Sequence, residues 1–248
     1  MRAEVYAAFR RCFTYPDEGF VKSLRSGELL ECLSASEVRA DRASVEAFLS
    51  AVGGVLGCEE TSPLEHLQGQ YSALFIYPAY FAPYESVYLG RSYSAKPFLT
   101  GEVLERVERL YREHGYRKKL RDETADHLAN ELGFVEHLLE KGEVEKAKSF
   151  LRGHLLLWVP ELVEEMEQGT AYWRSYGRYI CEDRFCRRRE QTEAVPAWLL
   201  ERACRRECGL RVSDYPEGVP AGVEFYLASA RLLLGFLKAE AGLKISPG

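Results

Sequence analysis

Apolar residues recur along this chain at intervals of three and four, and hardly anywhere at intervals of two. Val5, Ala8, Phe9 and Cys12 form such a stripe and predict a short helix from Glu4 to Phe13, closed by Tyr15-Pro16. Asp17 has the position of a cap for a second helix running to about Leu33, with Phe20, Leu24 and Leu30 inward. Ser36 opens a third, carrying Val38, Val45, Phe48, Leu49 and Val52, which Gly53-Gly54 would end. In Thr61-Ser62-Pro63 the serine is placed to cap and the proline to occupy the first helical position, where its missing N–H is harmless.

The next helix leads into QYSALFIYPAYFAPYESVY, residues 70–88. Tyr71, Leu74, Phe75 and Ile76 have the spacing of a helix face, and then Pro78 and Pro83 stop regular structure among further aromatics. The resulting loop, Pro83 to Tyr88, sets the carboxylate of Glu85 and the hydroxyl of Ser86 among rings, which fits either a sealed core edge or a binding surface. Downstream, Thr100 starts a helix with Val103, Leu104, Val107, Leu110 and Tyr111 on one face, ended by Gly115. Another runs from Thr124 to Glu140, stops at Lys141-Gly142, and has an antiparallel mate from Glu143 to Leu157. Pro160 is read as the first turn of a further helix, Tyr172, Tyr176 and Tyr179 continue the helical spacing, Pro196 begins another element, and the last helix spans Val223 to about Leu243. Strand-like alternation does not extend past four or five residues, so the expected fold is all-α: one domain, residues 1–248, a bundle of about ten helices.

Composition narrows the function. The 248 residues are 46% apolar and 12% aromatic, enough for a sizeable core. A net charge of −5 argues against a nucleic-acid partner, and Arg187, Arg188 and Arg189 read as a solvated helix face. Apolar runs stay well short of the roughly 18 residues of a membrane span, and the N-terminal stretch, broken by Glu4, Arg10 and Arg11, lacks a signal peptide's apolar centre. A cytoplasmic protein is expected. Seven scattered cysteines, an odd number, point to reduced thiols. Cys181, Cys186, Cys204 and Cys208 offer four thiolates for zinc or an iron–sulfur cluster, yet on one helix Cys181 and Cys186 would diverge by about 140°, which favours buried small hydrophobes. Neither HExxH, Glu-x-x-His, GxSxG nor a phosphate-binding glycine loop occurs, so no catalytic residue and no cofactor is assigned and the protein is read as a non-enzyme.

Two helical stretches hold the remaining candidates. In residues 124–139 Leu128, Leu132, Val135 and Leu139 form the core stripe, with His127, Glu131, Phe134 and Leu138 on the neighbouring stripe. Asp126, His127 and Glu131 are thereby expected beside the core at the helix start, within a partner's reach or serving only the helix dipole. HLLLWVP sets Trp158 one turn after His154, either a packed pair or a ligand.

Three blocks, namely Tyr71 to Phe75 with PYESVY at Pro83 to Tyr88, E-x-x-D-H at Glu123 to His127 with Glu131, Leu132 and Phe134, and HLLLWVP at His154 to Pro160, resemble the TorD/DmsD/NarJ family of redox-enzyme maturation chaperones. The resemblance covers roughly the middle 90 residues. It implies a cytoplasmic, all-helical chaperone that holds the N-terminal leader or the apo form of a molybdopterin oxidoreductase catalytic subunit until its cofactor is in place, as a monomer or a helix-swapped dimer. The family's leader-binding surface would fall on Tyr71, Leu74, Phe75, Tyr84, Glu85, Ser86, Tyr88, Asp126, His127, Glu131, Phe134, His154 and Trp158. A twin-arginine leader presents two cations and an apolar segment, so Glu85 and Asp126 among these rings would suit it as an open recess.

Overall fold

A computed structural model describes residues 2–34, 40–59, 61–76, 81–89, 101–179 and 223–243; for 73, 168–179 and 223 this extends to the backbone alone. The helices are α1 (Ala3–Cys12), α2 (Glu18–Arg25), α3 (Glu28–Ser34), α4 (Arg42–Leu56), α5 (Pro63–Phe75), α6 (Glu85–Leu89), α7 (Gly101–Glu113), α8 (Leu128–Glu140), α9 (Val144–Phe150), α10 (Leu156–Tyr179) and α11 (Val223–Glu240), with a π-helical turn at Leu151–Leu155 joining α9 to α10. Among the described residues there is no strand, and the all-α expectation holds. Two compact units are delimited, Met1–Val163 with Gly222–Gly248, and Glu164–Ala221. Helices α1 to α9, the first turns of α10, and α11 belong to the first unit.

Local chemistry explains most boundaries. Asp17 Oδ1 accepts from the Phe20 N–H at 2.7 Å and starts α2, as expected. The helix predicted to reach Leu33 is instead two, because Gly27 takes a φ of +81 between them. Asp41, not Ser36, caps α4, accepting from the Ser44 N–H at 2.8 Å; residues 35–39 lie outside the described set. Gly53-Gly54 does not end α4, since Val52 and Val55 on either side are both buried and hold the last turn on the core. Ser62 and Glu65 form a reciprocal capping box with Pro63 at the first position of α5. Pro160 lies inside α10 rather than at a helix start, where it removes one N–H from the ladder.

Helix α8 is the axis of the first unit. Every residue from Ala125 to Glu136 is buried, so both of its stripes face protein. Helix α1 lies along it, tied by Arg10 Nε to Glu136 Oε2 at 2.9 Å, and Gly133 lets the Tyr116 hydroxyl approach to where a Cβ would stand. Helix α11 returns from the far end of the chain to pack on α4, α1 and α5. Its rings knit that side: Phe236 meets Tyr6 and Phe9, Phe225 meets Phe20 and Phe48, and Tyr226 meets Tyr71 and Phe75 while donating to the Leu67 carbonyl at 3.1 Å.

Candidate functional site

The loop expected at Pro83–Tyr88 is the start of α6, and it is paired with the entry to α8. Glu85 N–H donates to the Asp126 carbonyl at 3.0 Å and Leu128 N–H to the Pro83 carbonyl at 2.9 Å, setting Tyr84 opposite His127 in a one-residue antiparallel bridge. Asp126 then acts on both segments: Oδ2 accepts from the Ser86 N–H at 3.1 Å and Oδ1 from the Thr124 hydroxyl at 2.6 Å. Two stretches about forty residues apart are thus pinned together by one buried carboxylate.

His127 is the cap of α8, whose first residue is Leu128 rather than Thr124. Its Nδ1 accepts from the Ala129 N–H at 3.1 Å, which puts the ring proton on Nε2. Burial lowers its pKa to about 4, with Asp126 acting weakly the other way, so the imidazole is neutral. It makes an edge contact with Tyr84, whose hydroxyl donates to Glu123 Oε2 at 2.6 Å; burial first, and then that acidic partner, raise the Tyr84 pKa.

Glu85 is the centre of the arrangement. Its side chain is 0% exposed and receives His154 Nδ1 at 2.8 Å and Arg106 Nη2, from α7, at 3.0 Å. Glu131 adjoins it. Burial, and after it the charge of Glu85, raise the Glu131 pKa well above the ordinary carboxyl value, which favours its protonated form. Glu131 Oε2 accepts from Trp158 Nε1 at 3.1 Å, whereas Oε1 meets no N–H or O–H of another residue.

His154 reaches this centre from the π-helical turn. There its ring stacks on Phe150 at 4.4 Å, and Phe150 in turn meets Phe134 edge-on at 4.9 Å. One turn on, Trp158 stacks on Tyr88 at 5.5 Å. Each of these aromatics therefore supports a polar partner: Phe150 holds His154, and Tyr88 holds the indole that donates to Glu131.

The predicted residues consequently fall into two groups. Tyr84, Glu85, Ser86, Tyr88, Asp126, His127, Glu131, Phe134, His154 and Trp158 gather around the α6–α8 junction, joining all three sequence blocks. Tyr71 and Phe75 belong to the ring cluster on α11, with the Tyr71 hydroxyl donating to the Phe13 carbonyl at 3.1 Å, and Leu74 is buried on the same helix α5. The open recess expected from the sequence is corrected: all of these residues except Tyr84 are buried, Asp126, His127 and Glu131 included, because each charge has its partner inside the protein. Sequence reading also missed Arg106, one residue ahead of the inward Val107, and Asn130. The chain's sole asparagine holds the segment before Asp126, accepting from Leu120 N–H and donating to the Leu120 and Thr124 carbonyls. Its rarity was the one available signal. Cys181, Cys186, Cys204 and Cys208 lie outside the described residues, as do Arg187, Arg188 and Arg189; among the described residues no group of three or more metal-ligating side chains is placed to hold an ion. No helix among the described residues is long and apolar enough to cross a membrane.

The family described as Nitrate reductase delta subunit has a model that matches residues 35–164, just over half of the chain and the whole of the α6–α8 junction with its partners. Comparison with curated proteins and with solved structures finds no match.

Proposed function

Because the chain belongs to the nitrate reductase delta subunit family, the NarJ/TorD-type chaperones of molybdoenzyme maturation, we propose that it binds the N-terminal leader or apo form of a molybdopterin oxidoreductase catalytic subunit in the cytoplasm and assists cofactor insertion before export or membrane attachment. The observation that carries the reading is the buried Glu85 carboxylate. It belongs to the first residue of the five-residue α6, with a hydrogen-bonded network behind it and, among the described residues, one cationic side chain, Arg106, on its outer side. An interior ion of this kind stabilises a fold poorly compared with apolar packing, and recognition of a cation is a use that justifies keeping it. The work of such a protein is binding and release: the client's apolar segment would supply affinity and its basic residues the selectivity.

The test is capture of a molybdopterin oxidoreductase catalytic subunit by the purified chain, using the subunit without cofactor, the same subunit loaded, and the apo subunit without its leader. Capture of the apo subunit in preference to the loaded one is expected. Equal capture of loaded and apo forms, or no capture of either, overturns the proposal. Loss on removing the leader assigns the contact to the leader, and retention assigns it to the body of the subunit.

A further inference from the structure

The contact between Arg106 and Glu85 is incomplete in a way that points to exchange. An arginine usually meets a carboxylate with two parallel N–H donors. Here only Nη2 bonds to Glu85, at 3.0 Å, while Arg106 Nε is buried with no acceptor. The partners behind Glu85 are fixed: His154 is stacked on Phe150, and Glu131 is held by Trp158. Arg106 is not fixed to the same degree, for 43% of its side chain is exposed.

The helix that carries it has the same asymmetry. Helix α7 is anchored in its second half, where Val107 and Tyr111 are buried and the Tyr111 hydroxyl donates to the Ala125 carbonyl at 2.8 Å. None of its first six residues, Gly101 to Arg106, is buried. Arg106 stands at the junction of these halves, so its side chain can leave Glu85 without disturbing the core.

We propose, building on the chaperone reading above, that Arg106 is an internal stand-in for a client arginine, covering Glu85 in the free protein and giving way when a client guanidinium takes its place. The carboxylate then never loses a cation, which removes the penalty of opening an interior charge to an empty site. Affinity for basic segments is lowered by the fraction of molecules in which Arg106 occupies the seat. A guanidinium able to make both N–H contacts displaces it, and an ammonium, which is a point donor, does so less well.

The test uses the full chain and a fluorescent synthetic peptide of two adjacent arginines followed by an apolar helix-forming segment, with lysine and glutamine versions of the pair, read by anisotropy. For wild type, binding in the order arginine, lysine, glutamine is expected. Arg106→Ala is expected to bind the arginine peptide roughly three- to tenfold more tightly by removing the competitor, and Arg106→Lys to fall between it and wild type. Should Arg106→Ala fail to fold, Arg106→Lys decides alone. Unchanged or weaker binding by the folded variants, with wild type still preferring arginine, overturns the stand-in role and leaves the chaperone reading in place. Absence of any arginine preference in wild type and variants alike likewise overturns the stand-in role, while the chaperone reading is decided by the capture experiment above.

Discussion

The first unit has two interiors that are equally buried and differently made. Around α11 the contacts are ring on ring, Phe20, Phe48, Tyr71 and Phe75 against Phe225 and Tyr226, and the hydroxyls of Tyr71 and Tyr226 find backbone acceptors. Around α6 the interior contains Glu85, Asp126, His127, Glu131 and His154, each 6% exposed or less. The first region gains free energy from nearly every buried atom. In the second, the gain from pairing is set against the loss of hydration, and the balance is close to neutral. A protein that needed only a core would build both in the first manner, so the second is the part to interrogate for recognition. The family match includes the whole of the second region and stops before α11.

The sharpest break between the two comes from truncating a ring. Phe225→Ala is expected to lower the unfolding free energy by about 3–5 kcal/mol, measured by urea denaturation, while the folded fraction keeps its client affinity. A pH series separates the regions next. Between the ordinary imidazole pKa of 6.5 and about 4, the unfolded chain gains a proton at His127 that the folded chain refuses, so stability present above pH 6.5 is lost as the pH falls, by about 3 kcal/mol. His127→Asn, which keeps a capping acceptor and cannot titrate, should remove that slope in urea melts taken across this range. Glu131 acts with the opposite sign: above the ordinary value of 4.5 the unfolded carboxyl ionises while the folded one keeps its proton, so Glu131→Gln should make stability rise more steeply with pH.

Smaller again is the effect of Glu85→Gln on folding. Shape is kept and an interior charge removed, so a change of no more than about 1–2 kcal/mol in unfolding free energy is expected, with client affinity falling at least roughly tenfold by calorimetry. A large loss of stability with unchanged affinity would make the polar region a structural element like its counterpart. The smallest effect belongs to a helix end: Asp41→Ala, losing the cap of α4, should cost about 1 kcal/mol in a thermal or urea melt and leave affinity untouched.

How much the chain discloses depends on the range of the forces involved. Asp17, the Ser62-Pro63-Glu65 cap, and the stops at Gly115 and Gly142 act within a few residues, and the spacing displays them directly. The environment of α8 was not legible, because His127, Glu131 and Asp126 are polar at positions a helical wheel assigns to a boundary. They are buried only because Ser86, Glu85 and Trp158 arrive from elsewhere in the sequence. The same applies to Pro160, read as a start by its local rule and found inside α10 where the chain runs on from the π-helical turn. The resemblance drew the α6–α8 residues together without indicating that they face inward, since a motif records which residues accompany one another and not which way they point.

The wide turn at Leu151–Leu155 has a meaning for how this protein can vary. It acts as one surplus residue in an otherwise continuous coil, shifting everything after it out of step with everything before by about 100°. Losing a single residue there would restore ordinary winding yet swing the indole at 158 away from its acid, so the spacing between His154 and Trp158 and their shared partners tolerates exchange of side chains far better than any change of length.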